Sequence, residues 1–267
     1  MVADLQLWAI MSLAHRLVAS YMTSDLATAE ADTPLAKVIR LLAARRISAV
    51  PVVGGGGAIV GVVSRWDLIH HERRHPGQAG ATCAAIMSQA PRVVEVSASL
   101  KEAACLMTER RIHRVFVVDG GRLVGVLTTT DLTRAVQDAG LVQPLDTIMT
   151  SPVATIRVDH GLALAMEWLD RAHVTGLVVT EHDWPIGVFA QEDALAARDL
   201  PPTTPIGTLY DPSLICLPRE TPLHRAAAQC ARMGVRRIVV SHQRDFVGVV
   251  SGLDFAAVIA AAPAPMP

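Results

Sequence analysis

The residues best placed to do chemistry are a hydroxyl and a carboxylate three positions apart, each pair behind a Gly-Val step. GVVSRWD (Gly61 to Asp67), GVLTTTD (Gly125 to Asp131) and GVVSGLD (Gly248 to Asp254) carry the full pair, and GVFAQED (Gly187 to Asp193) has Ala190 in the hydroxyl place. As a capping box, the hydroxyl receives a backbone N–H of the following helix and the acid bonds back to the cap's own N–H, with no ligand needed. The same helix end also presents unpaired N–H groups and a partial positive charge, which suit phosphate. There the hydroxyl can donate to a phosphate oxygen, and the ionised carboxylate can accept both hydroxyls of a ribose diol. Phosphate and ribose at that separation describe a nucleotide.

Cations stand near two of the pairs. His113 and Arg114 open the run IHRVFVV, and Arg236 and Arg237 hold the same places in VRRIVVS, where the other two runs have Ser48-Ala49 and Thr175-Gly176. A guanidinium bonds two phosphate oxygens at once. The alternative for each residue is a charge on the solvated face of a strand, which needs no ligand.

These residues sit in an internal repeat. The motif glycines Gly61, Gly125, Gly187 and Gly248 lie 64, 62 and 61 residues apart. Met22, Met87, Met149 and Tyr210 precede them by 39, 38, 38 and 38 residues, and Ile47, Ile112, Val174 and Val235 by 14, 13, 13 and 13. The extra residue of the first copy falls in Gly54 to Gly57. Within a copy the pattern runs from a short extended piece (Val93 to Ala98 in the second) to an amphipathic helix, with Leu35, Val38, Ile39 and Leu42 on one face. Asp32-Thr33-Pro34 and Glu220-Thr221-Pro222 read as caps followed by proline at the helix start. Two strands and a closing helix follow, so each copy is β-α-β-β-α, too small to close a core alone.

The rest of the chain narrows the classes. It has 267 residues, 51% of them hydrophobic but only 4% aromatic, and a formal charge of −1, so no overall field draws in nucleic acid or anionic lipid. The apolar runs are too short to span a bilayer. The start lacks a secretory signal, and the four cysteines form no CxxC pair, so reduced thiols in the cytoplasm are expected. Gly54 to Gly57 lacks the GK[ST] of a phosphate loop. The run from His70 to His75 reads as a solvated helix end and linker, without a metal. Trp8, Trp66, Trp168 and Trp184 read as core or rim packing. With no catalytic signature apart from the repeats, an enzyme is the least expected class.

In order, length and motif the repeats resemble the CBS (cystathionine β-synthase) domain family, over about Tyr21 to Ile259. The resemblance implies an α+β protein of four β-α-β-β-α CBS repeats paired into two Bateman modules. A leading helix occupies 1–20, the repeats 21–74, 82–138, 145–198 and 205–260, the modules 1–138 and 145–260, with Gln137 to Asp146 linking them and a frayed tail at the end. In that family such motifs hold adenosine nucleotides. Carried over, Ser64, Thr128 and Ser251 face phosphate, Asp67, Asp131, Asp193 and Asp254 face ribose, and His113, Arg114, Arg236 and Arg237 approach the phosphates. The expected protein is a cytoplasmic regulatory sensor for AMP, ADP or ATP, with no required cofactor. It would form a homodimer or a disc closed within one chain, and signal to an effector protein. Two alternatives stay open. One is a ligand-free scaffold for protein–protein interaction. The other is the same fold binding S-adenosylmethionine or a cyclic dinucleotide.

Overall fold

The structure, a computed structural model, describes residues 2–75, 80–172, 174–243 and 245–263. The end of the expected tail, 264–267, lies outside the described residues. A leading helix α1 (Val2–Ala14) and a short 3-10 turn (Val18–Ser20) precede the repeats. Repeat 1 forms α2 (Leu35–Ala44), β1 (Ala49–Val53), β2 (Ile59–Ser64) and α3 (Arg65–Arg74). Repeat 2 forms α4 (Cys83–Ile86), β3 (Val93–Glu95), α5 (Leu100–Arg110), β4 (Arg114–Asp119), β5 (Arg122–Thr128) and α6 (Thr129–Asp138). Repeat 3 follows with β6 (Thr155–Arg157), α7 (Leu162–Arg171), β7 (Gly176–Glu181), β8 (Trp184–Ala190) and α8 (Gln191–Ala196). Repeat 4 ends the chain with β9 (Ile215–Pro218), α9 (Leu223–Met233), β10 (Arg237–His242), β11 (Asp245–Ser251) and α10 (Gly252–Ala260).

The class is α+β, as expected. Repeats 2, 3 and 4 each build a three-stranded sheet whose middle strand (β4, β7 or β10) pairs parallel with the short first strand and antiparallel with the third. Those middle strands are runs of buried Val, Ile, Leu and Phe, covered on both faces. Repeat 1 departs from the expectation: it has two strands, and the first is reduced to one parallel bridge from Ala29 to Val52. The caps also differ. Pro34 and Pro222 are themselves the N-caps and make no side-chain bond, and Thr33 Oγ1 instead accepts from the Glu30 N–H at 3.0 Å. The side-chain cap among these first helices belongs to α5, where Ser99 and Glu102 form a reciprocal box.

The start of each sequence repeat does not stay with its own strands. Thr23 bridges Val126, Ser88 bridges Val62, Thr150 bridges Val249 and Asp211 bridges Val188. The lead-ins of repeats 1 and 2 are thereby exchanged, and so are those of repeats 3 and 4. The landmarks of the sequence explain the motif glycines. A Cβ on Gly125 would lie 2.5 Å from the Met22 sulfur, and one on Gly61 or Gly248 would lie 2.6 Å from the sulfur of Met87 or Met149. At Gly187 it would meet the Tyr210 ring. Each glycine sits beside a register shift in the hairpin, where the strand makes room for the exchanged side chain. The first N–H of each amphipathic helix is satisfied the same way. Leu35, Leu100, Leu162 and Leu223 donate to the carbonyls of Ala81, Arg16, Thr204 and Gln143, all at 2.8 to 2.9 Å.

By contacts the chain divides into two compact units. Unit 1 comprises Met1–Leu26, Arg92–Val153 and Leu214–Pro267, and unit 2 comprises Ala27–Pro91 and Ala154–Ser213. Unit 1 thus holds the strands and helices of repeats 2 and 4. There α10 packs on α5 and α6, and α6 packs on α9, over a core that includes Leu100, Met107, Leu132, Phe255 and Ile259. Unit 2 holds those of repeats 1 and 3, with α8 against α3 and α7 over Leu42, Leu68, Leu169, Phe189 and Leu195. The expected linker, Gln137 to Asp146, is packed into the core of unit 1, where Leu141 and Leu145 are fully buried. Trp8 and Trp184 correct the expectation of core or rim packing: they are 69% and 55% exposed. No helix among the described residues is long and apolar enough to cross a membrane.

Candidate functional site

Each motif lies where the expectation put it, at the turn from the last strand of a repeat into its closing helix. The hydroxyl and the acid meet. The Ser64 hydroxyl donates to Asp67 Oδ2 at 2.6 Å, Thr128 to Asp131 at 2.7 Å and Ser251 to Asp254 at 2.8 Å. The same carboxylate oxygens accept the backbone N–H groups of Ser64, Thr128 and Ser251 at 2.7 to 2.8 Å. In repeat 3 the Ala190 N–H donates to Asp193 Oδ2 at 2.7 Å, and there is no hydroxyl to add a second bond. The acid's half of the capping box therefore forms at all four sites, and the reciprocal box is complete at Ser64 and Thr128.

The helix ends offer fewer open donors than the sequence suggested. The first helical N–H is taken by the residue ahead of the middle strand: Arg65 N–H by Ser48, Thr129 by His113 and Gln191 by Thr175, at 3.0 to 3.3 Å. The third goes to the hydroxyl in repeats 1 and 2, from Asp67 to Ser64 at 3.3 Å and from Asp131 to Thr128 at 3.4 Å, whereas the Ser251 side chain accepts no such bond. The second oxygen of each acid has its own surroundings. Asp131 Oδ1 lies 3.2 Å from Arg134, and Asp254 Oδ1 accepts from Thr150 Oγ1 at 3.1 Å. Thr150 belongs to the exchanged lead-in, a part of the site that the motif did not reveal. The signal was present as a hydroxyl after the landmark in Met22-Thr23, Met87-Ser88 and Met149-Thr150, replaced by Tyr210-Asp211 in the fourth copy.

The cations are brought together in unit 1. Strand register sets Arg114 opposite Thr128 and Arg237 opposite Ser251, so each arginine faces the hydroxyl of its motif across the hairpin. His113 precedes β4, and Arg236 precedes β10. The side chain of His113 is partly buried, and its pKa is depressed from 6.5 to about 4 by that burial and by the nearby charges of Arg114, Arg237 and Arg236. Its imidazole is neutral at neutral pH. The same ladder positions in unit 2 are Ala49 opposite Ser64 and Gly176 opposite Ala190. What unit 2 gathers instead is acid. Burial raises Asp193 from 3.8 to about 6, and Asp211 and Glu192 push the same way against the bond from Ala190 and the charge of Arg65. The buried Arg65 meets Glu192 at 2.9 Å. No group of three or more metal-ligating side chains occurs among the described residues, the run from His70 to His75 included.

The fold has relatives. The Methanocaldococcus jannaschii protein MJ1225, itself compared with g-AMPK, superposes with a TM-score of 0.81 at 15% identity, covering 91% of this chain and 99% of that one. An uncharacterised conserved protein of Pyrococcus horikoshii gives 0.68 at 21% identity, over 91% of this chain and all of the other. In sequence, 118 residues are 34% identical to the inosine-5'-monophosphate dehydrogenase of Mycobacterium tuberculosis, 43% of this chain but only 21% of that relative. The chain spans about a fifth of the length of those dehydrogenases. The model of the CBS domain matches residues 18–74, 83–138 and 206–261, well over half of the sequence, and the chain belongs to the CBS domain family.

Proposed function

We propose that the protein is a regulatory sensor of adenine nucleotides (AMP, ADP or ATP), with no catalytic step in these repeats. The repeats form two tandem Bateman modules, 1–138 and 145–260, a reading supported by the reciprocal exchange of lead-ins within each pair. The observation that carries the function is the register of unit 1. It places Arg114 and Arg237 across the hairpin from Thr128 and Ser251, with His113 and Arg236 beside them. Phosphate oxygens would meet those cations, and ribose would compete with Arg134 and Thr150 for the Oδ1 atoms of Asp131 and Asp254. Ser64, Asp67 and Asp193 offer the sugar-binding half of the same site without the cations. A ligand can shift such a protein between packings only by its differential affinity for them, so the exchanged lead-ins, which touch the motif strands, are where occupancy is felt. A homodimer in the cytoplasm, read by a separate effector protein, completes the reading.

Thermal melting with millimolar AMP, ADP and ATP tests it. A nucleotide at about 100 times its dissociation constant adds roughly 2.7 kcal/mol to stability. The shift should vanish in Arg114→Ala and persist in Ser48→Ala. Flat melts with every nucleotide would defeat the reading. One observation favours a second: all four motifs cap their own helices, as a ligand-free interaction scaffold requires. Mass spectrometry of small molecules released on denaturation separates the two. It also detects S-adenosylmethionine or a cyclic dinucleotide, the former having no phosphate for Arg114.

A further inference from the structure

One guanidinium in unit 1 bonds at once to a motif acid and to an exchanged lead-in. Arg134 Nη2 lies 3.2 Å from Asp131 Oδ1 and donates to the Tyr21 carbonyl at 3.0 Å. The Arg134 Cζ stands 5.9 Å from the centre of the Tyr21 ring. Buried Tyr21 extends the contacts: its hydroxyl accepts from Arg16 Nη1 at 2.6 Å and donates to Asp138 Oδ2 at 3.4 Å. The arrangement belongs to one copy. Three residues after the motif acid stands Arg134 in repeat 2, but His70, Ala196 and Ala257 in the others. The residue before the landmark is Tyr21 in the first lead-in, but Ile86, Ile148 and Leu209 in the rest. The odd arginine and the odd tyrosine come from different repeats, and the exchange of lead-ins brings them together.

We propose that Arg134 is a positioning residue that couples ribose at Asp131 to the leading segment: the diol displaces Arg134 from the acid, and the hold on Tyr21 loosens with it. This coupling rests on the nucleotide reading above and names where occupancy leaves the site. An ionised carboxylate has about four acceptor positions. Asp131 Oδ2 uses two of them on the Thr128 N–H and hydroxyl, at 2.8 and 2.7 Å, and Oδ1 uses one on Arg134. A diol that donates twice therefore needs the position Arg134 holds. The Arg134 side chain is 54% exposed, so its ion pair is weak enough to be exchanged for a ligand. The segment it releases carries Met22, which packs on Gly125 in the motif strand. Coupling of this kind is reciprocal, so a loosened lead-in favours the diol in turn.

Hydrogen exchange of the full chain reads this, with 2',3'-dideoxy-AMP as the ligand that keeps adenine and phosphate but lacks the diol. At saturation the amides of Val18, Tyr21 and Met22 should exchange about two- to fivefold faster with AMP than with dideoxy-AMP, the range set by the strength of an exposed ion pair. The difference should disappear in Arg134→Ala. Calorimetry should find that variant's preference for AMP over dideoxy-AMP raised by a similar factor, because the competitor for Asp131 is gone. If dideoxy-AMP fails to bind, AMP-induced exchange in the wild type against Arg134→Ala decides alone. Equal exchange with both ligands, or a response to AMP that survives unchanged in Arg134→Ala, overturns the coupling and leaves the nucleotide reading standing. An absence of binding by every nucleotide overturns both.

Discussion

Unit 1 and unit 2 are built from the same parts, and they differ at the two ladder positions beside the motifs. Unit 1 has Arg114 opposite Thr128 and Arg237 opposite Ser251, whereas unit 2 has Ala49 opposite Ser64 and Gly176 opposite Ala190. The hairpin, its register shift and the capped helix form in both, so folding does not require the arginines. Gathering cations around a half-buried histidine works against folding, because like charges at close range repel and an imidazole must give up its proton. Unit 2 shows the converse. Its helix starts hold the paired Arg65 and Glu192, with Asp211 near Asp193, and a phosphate would meet acid there.

The largest expected effect breaks that difference outright. Arg114→Ala with Arg237→Ala should lower AMP affinity by roughly 100-fold or more, since each charge-assisted bond is worth about 1.5–3 kcal/mol. Ser48→Ala and Thr175→Ala should change it less than about twofold. Calorimetric titration decides, and equal losses from both sets of substitutions would sink the assignment of phosphate to unit 1.

Next in size is the approach of the two closing helices. In unit 1 a Cβ on Gly252 would lie 2.5 Å from Thr129 Oγ1 and 2.7 Å from its Cβ, so a methyl cannot be absorbed by a rotating side-chain tip. Gly252→Ala should cost about 1–3 kcal/mol by forcing α6 and α10 apart. The matching position of repeat 3 is Gln191, partly exposed and already bearing a side chain, where Gln191→Ala should stay within about 0.5 kcal/mol in urea unfolding.

Acid separates the units by sign. His113 has a folded pKa of about 4, below the 6.5 of the free side chain, so the unfolded chain binds more protons between those values. Its contribution is present above pH 6.5 and is lost as pH falls toward 4. Asp193 has a folded pKa of about 6, above 3.8, so the folded chain binds more protons in that window, and stability falls as pH rises from about 4 to 6. The two slopes oppose each other and flatten the wild-type profile. His113→Gln should expose a stability that declines from pH 4 to 6, and Asp193→Asn one that climbs over the same range. Each slope should amount to about 1–2 kcal/mol after screening by solvent. Melting temperatures across pH 4 to 7 that move in parallel for both variants would refute the assignment.

Much of this was legible from spacing. Four glycines in register, each followed by a Val and three later by a hydroxyl or its gap, specified the hairpins and closing helices, because turn chemistry and capping are local. The ownership of the lead-ins was not legible. Met22 stands 39 residues before Gly61 yet packs on Gly125, and nothing local distinguishes a segment that folds back from one that crosses to its neighbour. For the same reason Thr150 escaped notice as a partner of Asp254. The first strand of repeat 1 shrinks to a single bridge at Ala29, which leaves no periodic pattern in the sequence. The cations at 113, 114, 236 and 237 were visible, but only strand register shows that two of them stand opposite the hydroxyls.

The smallest predicted effect restores in unit 2 what the other copies have. Ala190 is the N-cap of α8, and its N–H already bonds to Asp193 Oδ2 at 2.7 Å, in the geometry of the boxes at Thr128 and Ser251. A serine there would add a hydroxyl donating to Asp193 and accepting its N–H, as Ser64 does for Asp67. Ala190→Ser should therefore raise stability by about 0.5–1 kcal/mol at pH 7, the usual gain for a side-chain cap. It should also draw the Asp193 pKa down from about 6, because a hydrogen bond to the charged form favours ionisation against the burial that opposes it. Carbon-13 titration of the carboxyl reads the second effect apart from the first. A gain in stability with an unmoved pKa would mean that the acids around Asp193, and not the missing hydroxyl, set its proton affinity. That would locate the difference between the units in their charged neighbours alone.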